Sequence, residues 1–356
     1  MTFVRIGLFR DHAQYRLNFM QYPPENSEGI MITHWARNPI AAELKAARCN
    51  VFYANNGRRP ELFFMRNKPI IADFEGYFVP PDMREAEKRI DSPLVRKVIC
   101  QTQWAFDDAT QLIKKKENRD KLVVVKHAGR TDFEKNRRSD NEVRFFFIGE
   151  TFFLKGADMA VEAFKQLYKK YDNIRLTIVS TNFTYWSLER NQSFDKPFAG
   201  PLTDPAWGPY WEKNLQHPGI TFLPRKLSNE EKFWHYANSD VFLFPSKWET
   251  FGCVFLEAMA HSLPIITTNF GPIPEVVGEK AAFFIDTKNK DWYEMVRDTP
   301  VRTRLIAELK DYMEQMIVSK SLRNRMGRAS REQMEREYSI EKRNKKMREI
   351  YDEVVG

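Results

Sequence analysis

The chain has 356 residues, 42% of them apolar and 14% aromatic, with a formal net charge of +8. That length suits two domains, and the apolar share is enough for two packed cores. No run reaches the ~18 apolar residues of a membrane helix, the three cysteines are too few and scattered for a disulfide framework or a zinc site, and no stretch has the interleaved aromatic and base-reading residues of a nucleic-acid motif. The N-terminus, MTFVRIGLFRDH, breaks its apolar stretch with charge and carries no signal-peptide pattern, so the expectation is a cytoplasmic protein with reduced thiols.

Residues 3–9 (FVRIGLF) read as a first strand, and residues 10–30 as a polar, turn-rich stretch with Pro23, Pro24 and Gly29. Residues 39–48 begin with Pro39 and continue in good helix formers, so a helix is expected there. Short strands follow at 50–53, at 68–74 (KPIIADF), at 96–102 and at 121–126 (KLVVVK), with a helix over 104–116. This alternation predicts a Rossmann-like first domain over residues 1–138. The charged stretch 135–142 (KNRRSDNE) lacks apolar periodicity and is read as the linker.

A second domain over 139–339 opens with the strand VRFFFI at 143–148, ended by Gly149. Lys155 and Gly156 precede a helix with Met159, Ala160, Ala163, Phe164 and Leu167 at helical spacing. A strand follows at 174–180. The segment 181–216 is long for a loop and rich in rings (Phe183, Tyr185, Trp186, Phe194, Phe198, Trp207, Tyr210, Trp211), suited either to a sugar or base face or to its own local packing. After a strand at 220–223, Ser228 and Glu231 form a capping box for a helix to Ala237. A strand at 281–285, helices over 292–297, 303–317 and 322–337, and a basic helix over 340–356 complete the chain.

The most informative stretch is 244–278, FPSKWETFGCVFLEAMAHSLPIITTNFGPIPEVVG. It reads as strand, loop, helix, strand, loop, helix, and its acidic residues cluster at loop–helix junctions, where parallel sheets bind ligands. Glu249 lies ahead of the helix and Glu257 inside it. Between them Thr250, Phe251, Gly252 and Cys253 offer backbone N–H groups at a helix start, which suits a phosphate. Gly252 permits close backbone approach. One loop thus offers a diphosphate cradle flanked by two carboxylates that accept from hydroxyls, which is the chemistry a nucleotide-sugar needs.

These residues resemble the donor signature of the retaining, family-4 (group 1) glycosyltransferases of the GT-B fold. The pattern P-S-x-x-E-x-F-G-x-x-x-x-E-A-M-A is matched by Pro245, Ser246, Glu249, Phe251, Gly252, Glu257, Ala258, Met259 and Ala260. Pro264, Ile265, Ile266, Gly271, Pro274, Glu275 and Val276 continue it, with Ser262 and Pro272 in place of two glycines. Gly129 and Asp132 resemble the stretch that closes the family's first domain. The loop at Gly149 resembles the family's G-R-x-x-x-x-K-G: Lys155 and Gly156 match, but Glu150 stands where an arginine would clamp the diphosphate. Arg225 is the candidate replacement cation.

The resemblance implies an α/β, GT-B fold of two Rossmann-like domains facing a cleft, with the C-terminal helix returning to the first. It implies transfer of a hexose from a nucleoside-diphosphate sugar (a UDP-sugar or GDP-mannose) to a hydroxyl of a glycan, lipid or small molecule. Retention at the anomeric carbon, no prosthetic group and no catalytic metal are part of that expectation. Glu249 would face the donor-sugar hydroxyls, Glu257 the ribose, and Lys155 the diphosphate. The acceptor-side candidates are Asp73, Glu75 and His34. Two other readings stay open: a catalytically weakened sugar-nucleotide binder, favoured by Glu150, and a non-transferase of the same fold such as a sugar-nucleotide epimerase. The basic runs at 114–116, 135–138 and 342–348 are either solvated faces or a surface for peripheral contact with an anionic membrane; nucleic acid is not expected as a partner.

Overall fold

The computed structural model describes residues 2–9, 16–32, 38–55, 65–74, 87–133, 136, 141–181, 211, 213–290, 295 and 299–356. They fall into two compact units, residues 1–130 with 336–356, and residues 131–335. The division comes before the charged stretch at 135–142. Asn136 already belongs to the second unit, its amide donating to Ala237 O at 2.9 Å and its side chain to Asn238 Oδ1 at 3.0 Å.

The first unit carries a sheet of β1 (Val4–Leu8), β2 (Ser27–Met31), β3 (Val51–Asn55), β4 (Ile70–Phe74), β5 (Val95–Cys100) and β6 (Leu122–Val124). Its order is β2-β1-β3-β4-β5-β6, and every pairing is parallel. Side-chain alternation sorts its residues between two faces. Phe52, Ala54, Ala72 and Val98 pack with Ala42 and Ala46 of α1 (Pro39–Arg48) and Ala105 and Ala109 of α2 (Gln103–Leu112). Val51, Tyr53, Ile71 and Ile99 pack instead with residues near the end of the chain. A four-residue helix, α3 (Lys116–Arg119), follows α2.

The sequence did not show β2, nor the π-helical turn Arg16–Gln21 before it. Ser27, Glu28 and Gly29 carry no strand preference. The strand exists because the backbone of that turn lies on it: a Cβ at Gly29 would meet Phe19 O at 2.7 Å.

The second unit is a second parallel α/β layer. Its elements are β7 (Val143–Ile148), α4 (Ala157–Tyr168), β8 (Ile174–Val179), β9 (Ile220–Leu223), α5 (Asn229–Ala237), β10 (Val241–Phe244), α6 (Cys253–Ala260), β11 (Ile265–Thr268), α7 (Ile273–Val277), β12 (Ala282–Ile285), α8 (Thr299–Val318) and most of α9 (Lys320–Glu337). The all-parallel order is β12-β11-β10-β7-β8-β9. The chain therefore builds outward from β7 in one direction, then returns to β7's other side with β10. That reversal is a topological switch point, where parallel sheets open a crevice at their carboxyl ends. Phe145, Phe146, Phe147, Phe242 and Phe244, all buried, fix β7 against β10.

The last helix, α10 (Ile340–Val355), belongs to the first unit. Ser339 caps it, accepting from the Lys342 amide, and Met347, Ile350, Tyr351 and Val354 cover the Val51/Tyr53 face of the first sheet. Among the described residues no helix is long and apolar enough to cross a membrane, and Cys49, Cys100 and Cys253 are free thiols.

Both loops at the switch point end in a left-handed glycine, Gly156 with φ +83° before α4 and Gly252 with φ +81° before α6. Gly156 is also sterically compelled, because a Cβ there would lie 2.1 Å from Pro245 O. Gly156→Ala is expected to cost about 3 kcal/mol through backbone strain and this overlap. Urea unfolding measures it, and a loss below ~1 kcal/mol would show that the two loops are not in enforced contact.

Candidate functional site

The site is built on the loops after β7 and β10. The first runs 149–156 and is pinned by the buried Phe152, Phe153 and Leu154. Trp211, from the aromatic segment, stands edge-on to Phe152 and Phe153 with centroids 5.2 and 5.7 Å away. This ring thus packs locally. The other rings of that segment lie outside the described residues, as do Glu75 and His34. Gly149 keeps the loop tight: a Cβ there would sit 3.0 Å from the Phe244 ring and 3.1 Å from Lys155 Cβ.

The second loop, Pro245–Gly252, is tied down from below. Thr267 Oγ1 donates to Phe244 O at 2.8 Å and Thr268 Oγ1 to Ser246 O at 2.5 Å, while Ser246 Oγ donates to Trp248 O at 2.9 Å. Lys247, fully buried, joins the two loops. Its amide donates to Leu154 O at 2.9 Å, and its ammonium donates to Phe153 O at 2.7 Å and Asp158 Oδ1 at 2.8 Å. Arg302 of α8 reaches the other oxygen of Asp158 at 3.1 Å and Glu162 at 2.7 Å. Burial alone would raise the Asp158 carboxyl, but the charges of Lys247 and Arg302 outweigh it and hold the group below the usual range.

Held in this way, Lys155 Nζ donates to Glu249 Oε1 at 2.6 Å and to Trp248 O at 2.8 Å, with the Trp248 ring 5.6 Å away. Glu249 is nearly buried, and the site of a Cβ on Gly252 would lie 3.5 Å from its carboxyl carbon. Neither α4 nor α6 has a side-chain cap; a left-handed glycine stands at each start. The two loops thus present two helix N-termini at the switch point, a cation, and a carboxylate oriented by that cation. Thr250, Phe251, Gly252 and Cys253 lie between Glu249 and the first turn of α6. N–H groups and the positive end of the helix dipole suit a phosphate.

Glu257 sits farther along α6, and α5 supplies partners that the sequence did not reveal. Lys232 pairs with its Oε1, and Tyr236 OH donates to Oε2 at 3.1 Å. Burial and then the Glu257 charge push the Tyr236 phenol up. Each Glu257 oxygen still has a second acceptor direction, so hydroxyls can share it. Glu150 is exposed, its backbone carbonyl accepting from Ser180 Oγ at 3.0 Å. Arg225, the candidate replacement cation, is engaged with a carboxylate of its own. It follows β9, two strands away from β7, and binds Glu231 through both terminal nitrogens at 2.7 and 3.0 Å. That guanidinium, with the Ser228 amide, pulls Glu231 down to about 2. The capping box explains the capture: Glu231 is fixed in place by Ser228, within reach of Arg225.

In the first unit Asp73 is the penultimate residue of β4, fully buried, and accepts from Tyr53 OH at 3.3 Å. The other missed residues, Lys247, Asp158, Arg302, Lys232 and Tyr236, carry no motif. Only Lys247 lay inside a segment already singled out.

Helix α6 ends on a buried histidine that serves packing. His261 Nδ1 is 2.7 Å from Glu257 O, and its ring stacks at 4.5 Å on Phe133 and 5.4 Å on Tyr236. Burial lowers its pKa to about 4. The unfolded chain therefore takes up this proton first as pH falls through ~6.5, and stability is lost between there and pH 4. Relative to His261→Phe, the wild type is expected to lose about 1.5 kcal/mol more between pH 6.5 and 5. Parallel slopes of unfolding free energy in the two proteins would refute that shift.

Comparison with known proteins agrees with this geometry. Residues 129–298 match the model of the family described as Glycosyl transferases group 1. The capsular polysaccharide biosynthesis glycosyltransferase CapM of Staphylococcus aureus is 28% identical over 194 residues, 54% of this chain and 41% of CapM. The chain thus spans less than half the length of that curated relative. Among solved structures, a glycosyltransferase from Rickettsia africae ESF-5 superposes with a TM-score of 0.67 at 14% identity, covering 99% of this chain and 98% of that one. S. aureus TarM, solved in complex with fondaparinux, alpha-GlcNAc-glycerol and UDP, gives 0.60 at 15% identity, over 85% of this chain and 55% of TarM. At such identities the likeness concerns the fold, which is that of the two-domain GT-B proteins. The family's signature is thus seated on a parallel α/β unit at its switch point, within residues 129–298, the part of the chain that matches the glycosyl transferases group 1 model.

Proposed function

We propose that the chain is a retaining glycosyltransferase that moves a hexose from a nucleoside-diphosphate sugar to an acceptor hydroxyl. The observation that carries this reading is the Lys155–Glu249 pair between two glycine-started helices at one switch point. A diphosphate leaving group needs its growing charge stabilised, and Lys155 with the N–H groups at the starts of α4 and α6 supplies that in a site with little water. Glu249 then turns from Lys155 toward the donor-sugar hydroxyls and supports positive charge at the anomeric carbon. The anomeric carbon–phosphate oxygen bond breaks, the bond to the acceptor oxygen forms on the same face, and the acceptor proton passes to the departing phosphate. Glu257 takes the ribose hydroxyls. That TarM was solved with UDP makes UDP-sugars the first donors to try, with GDP-mannose next; the acceptor is a glycan, a lipid-linked sugar or a small molecule.

A second reading is favoured by one residue. Glu150 places a carboxylate on the loop that carries Lys155, and a donor held weakly there would make the protein a sugar-nucleotide binder of low turnover. Glu150→Arg separates the two: donor binding unchanged or tighter fits a site that merely lacks a cation, whereas a large loss gives Glu150 a ligand role of its own.

Lys155→Met and Glu249→Gln are each expected to lower kcat by about 10²–10³-fold. Product formation from UDP-glucose, UDP-N-acetylglucosamine, UDP-galactose and GDP-mannose, with melting curves as the folding control, checks both. Full turnover in a folded variant removes that residue from the mechanism.

A further inference from the structure

A cleft in the first unit has the chemistry of an anion site. It opens to solvent at the carboxyl end of the first sheet, on the face covered by α10. Asn18, Tyr53, Gln101, Lys126, His127 and Arg343 are its polar lining. The carboxyl ends of parallel strands are where such sheets bind ligands.

One buried donor there lacks a partner, and one buried cation lacks a counter-charge. Gln101 follows β5 and is 3% exposed, and its Nε2 has no hydrogen-bond partner. A buried donor left unmade costs about 1–3 kcal/mol. Arg343 is 7% exposed, yet it donates only to neutral oxygens, Asn18 O at 2.7 Å and Asn344 Oδ1 at 2.9 Å, and lies 4.6 Å from the Phe19 ring. Among the described residues no carboxylate bonds it. Asp73, on the same side of the sheet, gives an oxygen to Tyr53 OH instead. Burial works against the Arg343 charge, which is met only by those two neutral oxygens and the face of the Phe19 ring. Lys126 differs, since Glu337 neutralises it at 3.2 Å. The cleft is therefore lined by N–H donors and by one buried cation without a counter-charge, an arrangement that favours an entering anion.

We propose that this cleft receives an oxyanion, a phosphate ester or carboxylate, carried by the acceptor. The inference rests on the transferase reading for the word acceptor, but its chemistry does not. Arg343 faces the anion with the charge, Gln101 supplies an amide donor, and Asn18 and Tyr53 border the entering group.

The test is melting temperature and calorimetry on the full chain at constant ionic strength. The probes are inorganic phosphate, glucose 6-phosphate, glucuronate and glucose, each with and without saturating UDP. Phosphate, glucose 6-phosphate or glucuronate is expected to raise the melting temperature where glucose does not, and the rise is expected to persist in UDP. Gln101→Leu should leave the ligand-free melting temperature unchanged or higher, since no bond is lost, while weakening the anion about tenfold. Arg343→Met should abolish the effect; should that variant not fold, Gln101→Leu decides alone. Equal response to glucose and glucose 6-phosphate, or undiminished anion binding in Gln101→Leu, would overturn the inference. Loss of the anion effect in UDP would assign the oxyanion to the nucleotide and overturn the acceptor assignment. A UDP response without an anion response sinks this inference alone, and an anion response without any nucleotide response sinks the transferase reading alone.

Discussion

The buried pair of Lys247 and Asp158 is the contact on which the second unit's site depends. It joins the loop after β10 to the first turn of α4, with Arg302 on the far oxygen of the same carboxylate. Breaking such a pair typically costs ~3–5 kcal/mol, because the remaining charge stays buried. Its consequence is geometric. With both loops locked, Lys155 and Glu249, which are 94 residues apart in sequence, meet at 2.6 Å. The ion pair fixes the direction of a nearly buried carboxylate.

The division of labour between charges follows from how deeply each is set. Lys247 is fully buried and wholly engaged, so its role is to hold. Lys155 and Glu249 are mostly buried but border the loops' open side, so they can change partners. Glu257 is more exposed and shared with Lys232 and Tyr236, which fixes its carboxylate without exhausting its acceptors. The first unit shows the opposite condition, a buried Gln101 donor without a partner and an Arg343 charge met only by neutral groups.

Legibility in the sequence followed locality. The stretch 244–278 could be read because its strand, loop, helix and carboxylates are consecutive, and because a glycine at Gly252 announces a turn that only glycine makes easily. Lys155 and Gly156 were legible by resemblance to a second short loop. The pairings were not. Nothing in Lys247 or Asp158 distinguishes them among 56 basic and 48 acidic residues. Their meeting is a product of strand order, as is Lys232 meeting Glu257 across two helices. Arg225's own partner was hidden too, although the capping box that was read in the sequence places Glu231 beside it. In the first unit β2 was missed because its residues have no strand preference and a π-helical turn, itself irregular, holds them in place.

The most direct measurement is hydrogen–deuterium exchange of the full chain with and without UDP and GDP. The account places the diphosphate at the starts of α4 and α6, so peptides covering 149–158 and 248–257 should be protected by the nucleotide that binds, with no comparable change across α8. Binding that leaves both segments unprotected, or no binding by either nucleotide to the folded protein, would contradict the assignment of Lys155, Glu249 and the two glycine-started helices to a nucleotide-sugar site.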